Sequence, residues 1–221
     1  MAEVSAKDTN AALRRHVTPL LRAAGFGDAT GRKFWRHGTD RIDHVDILGF
    51  SSYRAETNRV TTASFTVHIA ISLPRYGVFD DPYHRDYIKD GPKGPRPSEA
   101  QFPIRGVICP PDAPPMVKGR WGWEYCSTFL VRTAEEAEAA AEGLAAMLGD
   151  HGLDWLGHDW DMDQILALLD RDETDPIMVR APNGSHLRLH AGLLGSPVRQ
   201  AHLAMARAAR DASRGHPPSA S

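Results

Sequence analysis

Cysteine is nearly absent from this chain: Cys109 and Cys126 are the only two in 221 residues. One candidate pair in a chain of this size reads as two reduced thiols packed as small hydrophobes, not as a disulfide scaffold. Long apolar runs are missing too. No stretch approaches the roughly 18 residues of a membrane span, and the start, MAEVSAKDTNAALRR, lacks the apolar segment of a secretory signal. No membrane partner is expected, and the cytoplasm is the expected location. A phosphate-cradling loop is also lacking, since GFGDATG (25–31) has neither the lysine nor the preceding strand. Ser51, Ser52 and Ser185 sit in no nucleophile elbow, and neither cysteine has neighbours that imply a lowered pKa. No catalytic residue and no cofactor is assigned on these grounds.

What is present is ordinary globular material. Hydrophobic residues make up 42% and charged residues 24%, which excludes a wholly disordered, collagenous or coiled-coil chain. Length divided by ~150 allows about one and a half domains, enough to bury a core without staples.

The net charge of −2 conceals a segregation along the chain. Residues 1–54 carry +3 and 55–131 carry +1, whereas 132–175 carry −11 and 176–221 carry +5. The acidic stretch and the basic tail read as solvated helix faces that attract across the fold. Nucleic acid is a weak reading of the tail, because its six arginines are spread out and lack interleaved aromatics.

Leu13, Val17, Leu20, Leu21 and Ala24 recur at helical spacing, with Asp8 to Asn10 as candidate caps and Gly25 as a left-handed stop. Pro19 inside this helix predicts a kink or a restart capped by Thr18. From Gly31 the period changes to two. KFWRH (33–37) is a short strand, a polar turn follows, and RIDHVDILGFSSY (41–53) is a longer strand. Over 64–73 the alternation is clearest. Phe65, Val67, Ile69, Ile71 and Leu73 take one face, Thr66, His68, Ala70 and Ser72 the other, and the loop RAETNRVTT predicts an antiparallel hairpin to the preceding strand.

Ten prolines fall in residues 74–120, which excludes an ordinary helix and any central strand except FPIRGVIC (102–109). This segment reads as an extended surface excursion anchored by Phe79, Tyr83 and Tyr87. WGWEYCSTFLV (121–131) returns to strand. Thr133 caps the helix AEEAEAAAEGLAAML, whose early Glu135 and Glu136 suit the helix dipole and which Gly149 closes. A shorter helix through Ile165, Leu168 and Leu169 follows, then a hairpin in IMVRAPNGSHLRLH (177–190) and a last helix from Ser196–Pro197 to about Ala208. No internal repeat is visible.

The blocks PLLRAAGF (19–26), GRKFWR (31–36), the strand ending in GFSSY (49–53), SFTVHIAI (64–71), RPSEAQFPIRGVI (96–108) and WGWEY (121–125) occur in an order that resembles the bacterial domain-of-unknown-function family 4304. The resemblance covers roughly residues 12–149, and Phe50 and Phe102 depart from its pattern. It implies an α+β body and carries no agreed activity.

The densest polar cluster is HGLDWLGHDWDMD (151–163). Its histidines and aspartates match no metal-ligand spacing, and the DxDxD register lacks the glycine and glutamate of a calcium loop, so no metal site is assigned. His186, Arg188 and His190 share one strand face, but histidines four apart on a strand lie ~13 Å apart, too far for one ion. What remains is the second face of the sheet. His68 stands there with Thr66 and Ser72, and Arg36, His44 and Glu124 are expected to approach it, flanked by Trp121 and Trp123.

The expected fold is α+β, an antiparallel sheet of about four or five strands with helices on one face, a long proline-rich loop, and a C-terminal hairpin and helix. A domain over 1–150, an extension over 151–213 packed on it and a frayed tail over 214–221 are expected. The leading functional reading is a non-catalytic recognition module for a protein or peptide partner. Its rivals are a small hydrolase or transferase using a His/carboxylate acid-base pair, and a nucleic-acid binder using the C-terminal arginines.

Overall fold

The protein is described from a computed structural model. It covers residues 4–39, 41–72, 89–97, 104–110, 117–119, 122–124, 127–159, 164, 177–180, 186–191, 208 and 211. For 104–105, 117–119, 122–124, 177–180 and 186–191 only the backbone is described.

Helix α1 spans Ala6–Ala23 and runs unbroken past Pro19. Its N-cap is Ser5 and not a residue of Asp8–Asn10. Asp8 instead completes a reciprocal box, accepting from the Ser5 backbone N–H at 2.9 Å, and so satisfies donors that the first turn leaves orphaned. Gly25 follows with φ 90°, the left-handed stop that the sequence announces. Thr9, Ala12, Leu13, Val17 and Leu21 are buried along one stripe.

Strands β1 (Asp28–Thr30), β2 (Lys33–His37), β3 (Ile42–Gly49) and β4 (Phe65–Ser72) follow as an antiparallel series. The expected strand to Tyr53 is shorter than predicted. Ser51 accepts the Arg54 backbone N–H and starts a helix, α2 (Ser52–Asn58), which replaces the polar loop and ends at Arg59 with φ 55°.

Within the proline-rich segment, β5 (Lys89–Gly91) and β6 (Gly94–Arg96) form a separate hairpin. Next comes β7 (Ile104–Cys109), a central strand despite its proline-rich flanks. The expected strand over 121–131 is not continuous. Among the described residues β8 (Val117–Gly119) and β9 (Gly122–Glu124) pair with each other and not with the main sheet, while Phe129 bridges to Phe65.

Helix α3 (Ala134–Met147) is capped by Thr133, as expected. The chain does not stop at Gly149: one π-helical turn over Leu148–Gly152 carries it into α4 (Leu153–Gly157). Burial of Leu148 and Leu156 rewards the continuation. The late hairpin is present as β10 (Ile177–Arg180) and β11 (His186–Ala191). Of the helices expected near 161–169 and 196–208 only Gln164 and Ala208 are described, both helical, and the aromatics 79, 83 and 87 and the tail 214–221 lie outside the described residues.

The fold is α+β, and its main sheet is antiparallel with strand order β1-β2-β3-β4-β7-β11-β10. Five of these strands come from the first 110 residues, and the late hairpin extends the sheet by two through β11. On one face Phe34, Val45, Ile47, Phe65, Val67, Ile69, Ile71 and Ile108 join the α1 stripe and Ala137, Ala141, Leu144 and Met147 of α3 in a single core. The rings of Phe65 and Phe129 stack there at 4.9 Å. The acidic face of α3 meets α1: Glu138 bonds Arg15 at 2.7 Å and His16 at 2.8 Å.

Candidate functional site

With helices on the first face, the second face is set by residue alternation. In β3 the sequence IDHVDI sends Val45 and Ile47 into the core, so Ile42, His44 and Asp46 take the other side. Registration then gathers the rest. Lys33 lies opposite Asp46, Trp35 opposite His44 and Asp28, and His68 opposite Asp46 from the β4 side.

Two buried carboxylates organise this face. Asp46 is 1% exposed, receives Lys33 Nζ at 2.6 Å and faces His44 Nε2 at 3.7 Å. Burial alone would raise its carboxyl, but the approach of His44 and the bond from Lys33 outweigh burial and hold it below the ordinary aspartate value. Asp28, also 1% exposed, is gripped by the Arg96 guanidinium, with Nε at 2.9 and 3.0 Å from its two oxygens and Nη2 closing the fork. His37 Nε2 approaches from the side at 3.1 Å. The Arg96 hydrogen bonds are the main reason that the Asp28 carboxyl is held low, with His37 adding to them against the cost of burial.

Trp35 connects the two clusters. Its ring stacks on His44 at 4.9 Å, the Arg96 guanidinium lies over it at 5.3 Å, and its indole N–H donates to the Pro97 carbonyl at 2.9 Å. The hairpin β5–β6 is thereby clamped over the β1–β2 end of the face. Gly91 permits the clamp, since a Cβ there would occupy the space of the Arg96 side chain and the Asp28 carboxylate.

Of the residues singled out from sequence, His44 and His68 do share this face, on two sides of Asp46. His44 is wholly buried, its Nδ1–H donating to the Phe34 carbonyl at 3.1 Å, so it orders the interior of the face and is shielded from any partner. His68 is half-buried. Arg36 is corrected. The two-residue period that puts Phe34 in the core puts Arg36 on the helix side as well, where it bonds Asp43 at 2.7 Å and the carbonyls of Ala24 and Leu156 at 3.1 and 3.3 Å. Trp123 and Glu124 belong to the β8–β9 ribbon, which among the described residues does not pair with the main sheet, and Trp121 lies outside the described residues.

Asp28, Trp35, His37, Asp46 and Arg96 were not singled out. Asp46 had a signal, a charged residue two positions after His44 in a strand with buried neighbours. The Asp28–Arg96 pair spans 68 residues and has no local signal.

Beyond β4 the backbone register continues the face. Positions 105, 107 and 109 of β7 align with 190, 188 and 186 of β11, and 178 and 180 of β10 complete the row. Among the described residues no three metal-binding side chains come together. Of the cluster at 151–163, His158 bonds Gln164 at 3.2 Å, and 160–163 lie outside the described residues.

No family model matches the chain, and neither a curated protein nor a solved structure matches it.

Proposed function

We propose that this chain is a non-catalytic recognition module that holds an acidic segment of a protein or peptide partner on the second face of its sheet, beside the clamped hairpin β5–β6. The observation that carries the reading is the composition of that face from β4 outward. Ala70, Val107 and Cys109 are buried in this row, and the other positions, 66, 68, 72, 105, 178, 180, 186, 188 and 190, include His68, Arg105, Arg180, His186, Arg188 and His190 but no acidic residue. Three arginines with no carboxylate among these positions give a positive balance that attracts a partner of the other sign and disfavours wrong ones. The titratable groups nearer β1 are already committed to one another, which supports recognition over acid-base chemistry. Two clefts in the fold lie elsewhere, beside α1 and beside the start of α3.

The test is affinity capture from the native cell extract with quantitative mass spectrometry, using the full chain, the pair of changes His68→Glu and Arg188→Glu, and Arg54→Glu on the exposed side of α2 as control. The reading expects proteins with acidic segments to be retained by the first and third baits and reduced at least about tenfold with the second. The same proteins recovered equally by all three baits contradict it. Recovery of nucleic acid that is released steeply by added salt would favour the nucleic-acid reading instead.

A further inference from the structure

Between α1 and the turn that joins β1 to β2 lies a cleft of about 300 Å³. That size is at the lower end of small-molecule sites. Its apolar wall is Leu13, Phe34 and Ile47, all nearly buried. Its polar rim comes from two elements. Asn10, Arg14 and Thr18 recur every four residues and so line one side of α1, and Arg32 faces them from the tight turn, where Gly31 takes φ 60°.

Arg32 is the unusual member. Its Nε donates to Asn10 Oδ1 at 2.6 Å and its Nη2 to the Ala6 carbonyl at 3.3 Å, while the buried Nη1 has no hydrogen-bond partner among the described residues. Burial presses the guanidinium below the ordinary arginine value. Elsewhere the chain supplies carboxylates to its partly buried cations: Lys33 has Asp46, Arg36 and Arg41 have Asp43, and Arg96 has Asp28. Among the described residues Arg32 has no carboxylate within 4.0 Å, and neither has Arg14. A desolvated cation without a counter-charge costs free energy, which an anion in the cleft would recover.

We propose that this cleft binds a small organic anion, with its headgroup on Arg32 and Arg14 and its apolar body against Leu13, Phe34 and Ile47. The positive charge of Arg32, with the exposed Arg14 beside it, suits a carboxylate or a phosphate ester, and three apolar side chains favour a short aliphatic or aromatic body over a bare ion. The site lies on the helix side of the sheet and is independent of the partner surface proposed above.

Isothermal titration of the full chain with hexanoate, hexyl phosphate and the neutral hexanol tests it. One of the two anions should bind at a single site, at least about tenfold tighter than hexanol, and which one prevails tells a carboxylate ligand from a phosphate ester. Arg32→Gln should abolish binding, and Arg14→Gln should weaken it about tenfold, the loss of one charge-assisted contact. Arg14 is exposed and holds no partner among the described residues, so its variant remains folded and decides the matter even where Arg32→Gln impairs folding. Neither anion binding up to about 10 mM, hexanol binding as well as the anions, or an unchanged affinity in Arg14→Gln would each overturn the proposal.

Discussion

Arg36 and His68 were expected on one binding face, and the structure sets them on opposite sides of the sheet, so removing each has a distinct outcome. Arg36 is 27% exposed at its side chain, donates to Asp43, whose side chain is 3% exposed, and donates to two backbone carbonyls. Its guanidinium also covers the Phe26 ring at 5.0 Å. Arg36→Met keeps much of the stem and deletes these bonds. Breaking a buried ion pair costs about 3–5 kcal/mol, and the low end applies because Arg41 still reaches Asp43 at 2.5 Å and water reaches part of the site. At about 2–4 °C per kcal/mol for a chain of this size, a loss of about 3 kcal/mol lowers the melting temperature by about 6–12 °C. His68→Ala, at a half-buried position on the second face, should cost about 1 kcal/mol or less. Thermal unfolding followed by circular dichroism reads both. An Arg36→Met transition within about 2 °C of the parent, or an equal loss in His68→Ala, refutes the assignment of the two faces.

Trp35→Phe keeps an aromatic ring over His44 but leaves the Pro97 carbonyl without its donor, at a cost of about 1–2 kcal/mol, and should speed amide exchange over residues 89–97. Unchanged exchange there would show that the indole does not hold the hairpin. Asp28 and Asp46 are both held below the ordinary 3.8, so the unfolded chain binds protons first as the pH falls. Their contribution is therefore full above that value and is lost as the pH drops through their lower folded values. Asp46→Asn should flatten this part of an acid-unfolding curve, and an identical curve contradicts the ionic account of the face. Glu138→Gln, whose pairs with Arg15 and His16 are at least partly exposed, should change stability by less than about 1 kcal/mol in a denaturant titration, and a larger loss would mean that the packing of α3 on α1 depends on these two pairs.

The sheet was legible wherever burial is one-sided. Phe65, Val67, Ile69 and Ile71 alternate against polar neighbours, and a period of two has no other economical meaning. β7 was legible only in outline, because the prolines around it argue against a central strand while its own residues 104–109 contain none. α2 was hidden by its polar composition, and only the cap at Ser51 marks its start. The absence of strand at 127–128 and the run of helix past Gly149 depend on contacts with distant residues, which local pattern does not contain. The same holds for the site. His44 and His68 were found because they stand in alternating strands, and the face of Arg36 follows from the same alternation once Phe34 is known to be in the core. The Asp28–Arg96 clamp joins two distant segments through a glycine-lined approach, and nothing near either residue announces it.

Hydrogen-exchange footprinting of the full chain, with and without the protein it captures, tests the proposed partner surface most directly. The account predicts protection of amides in β4, β7 and β11 with little change in α1 and α3. Protection confined to those two helices, with the strands unaffected, would contradict it.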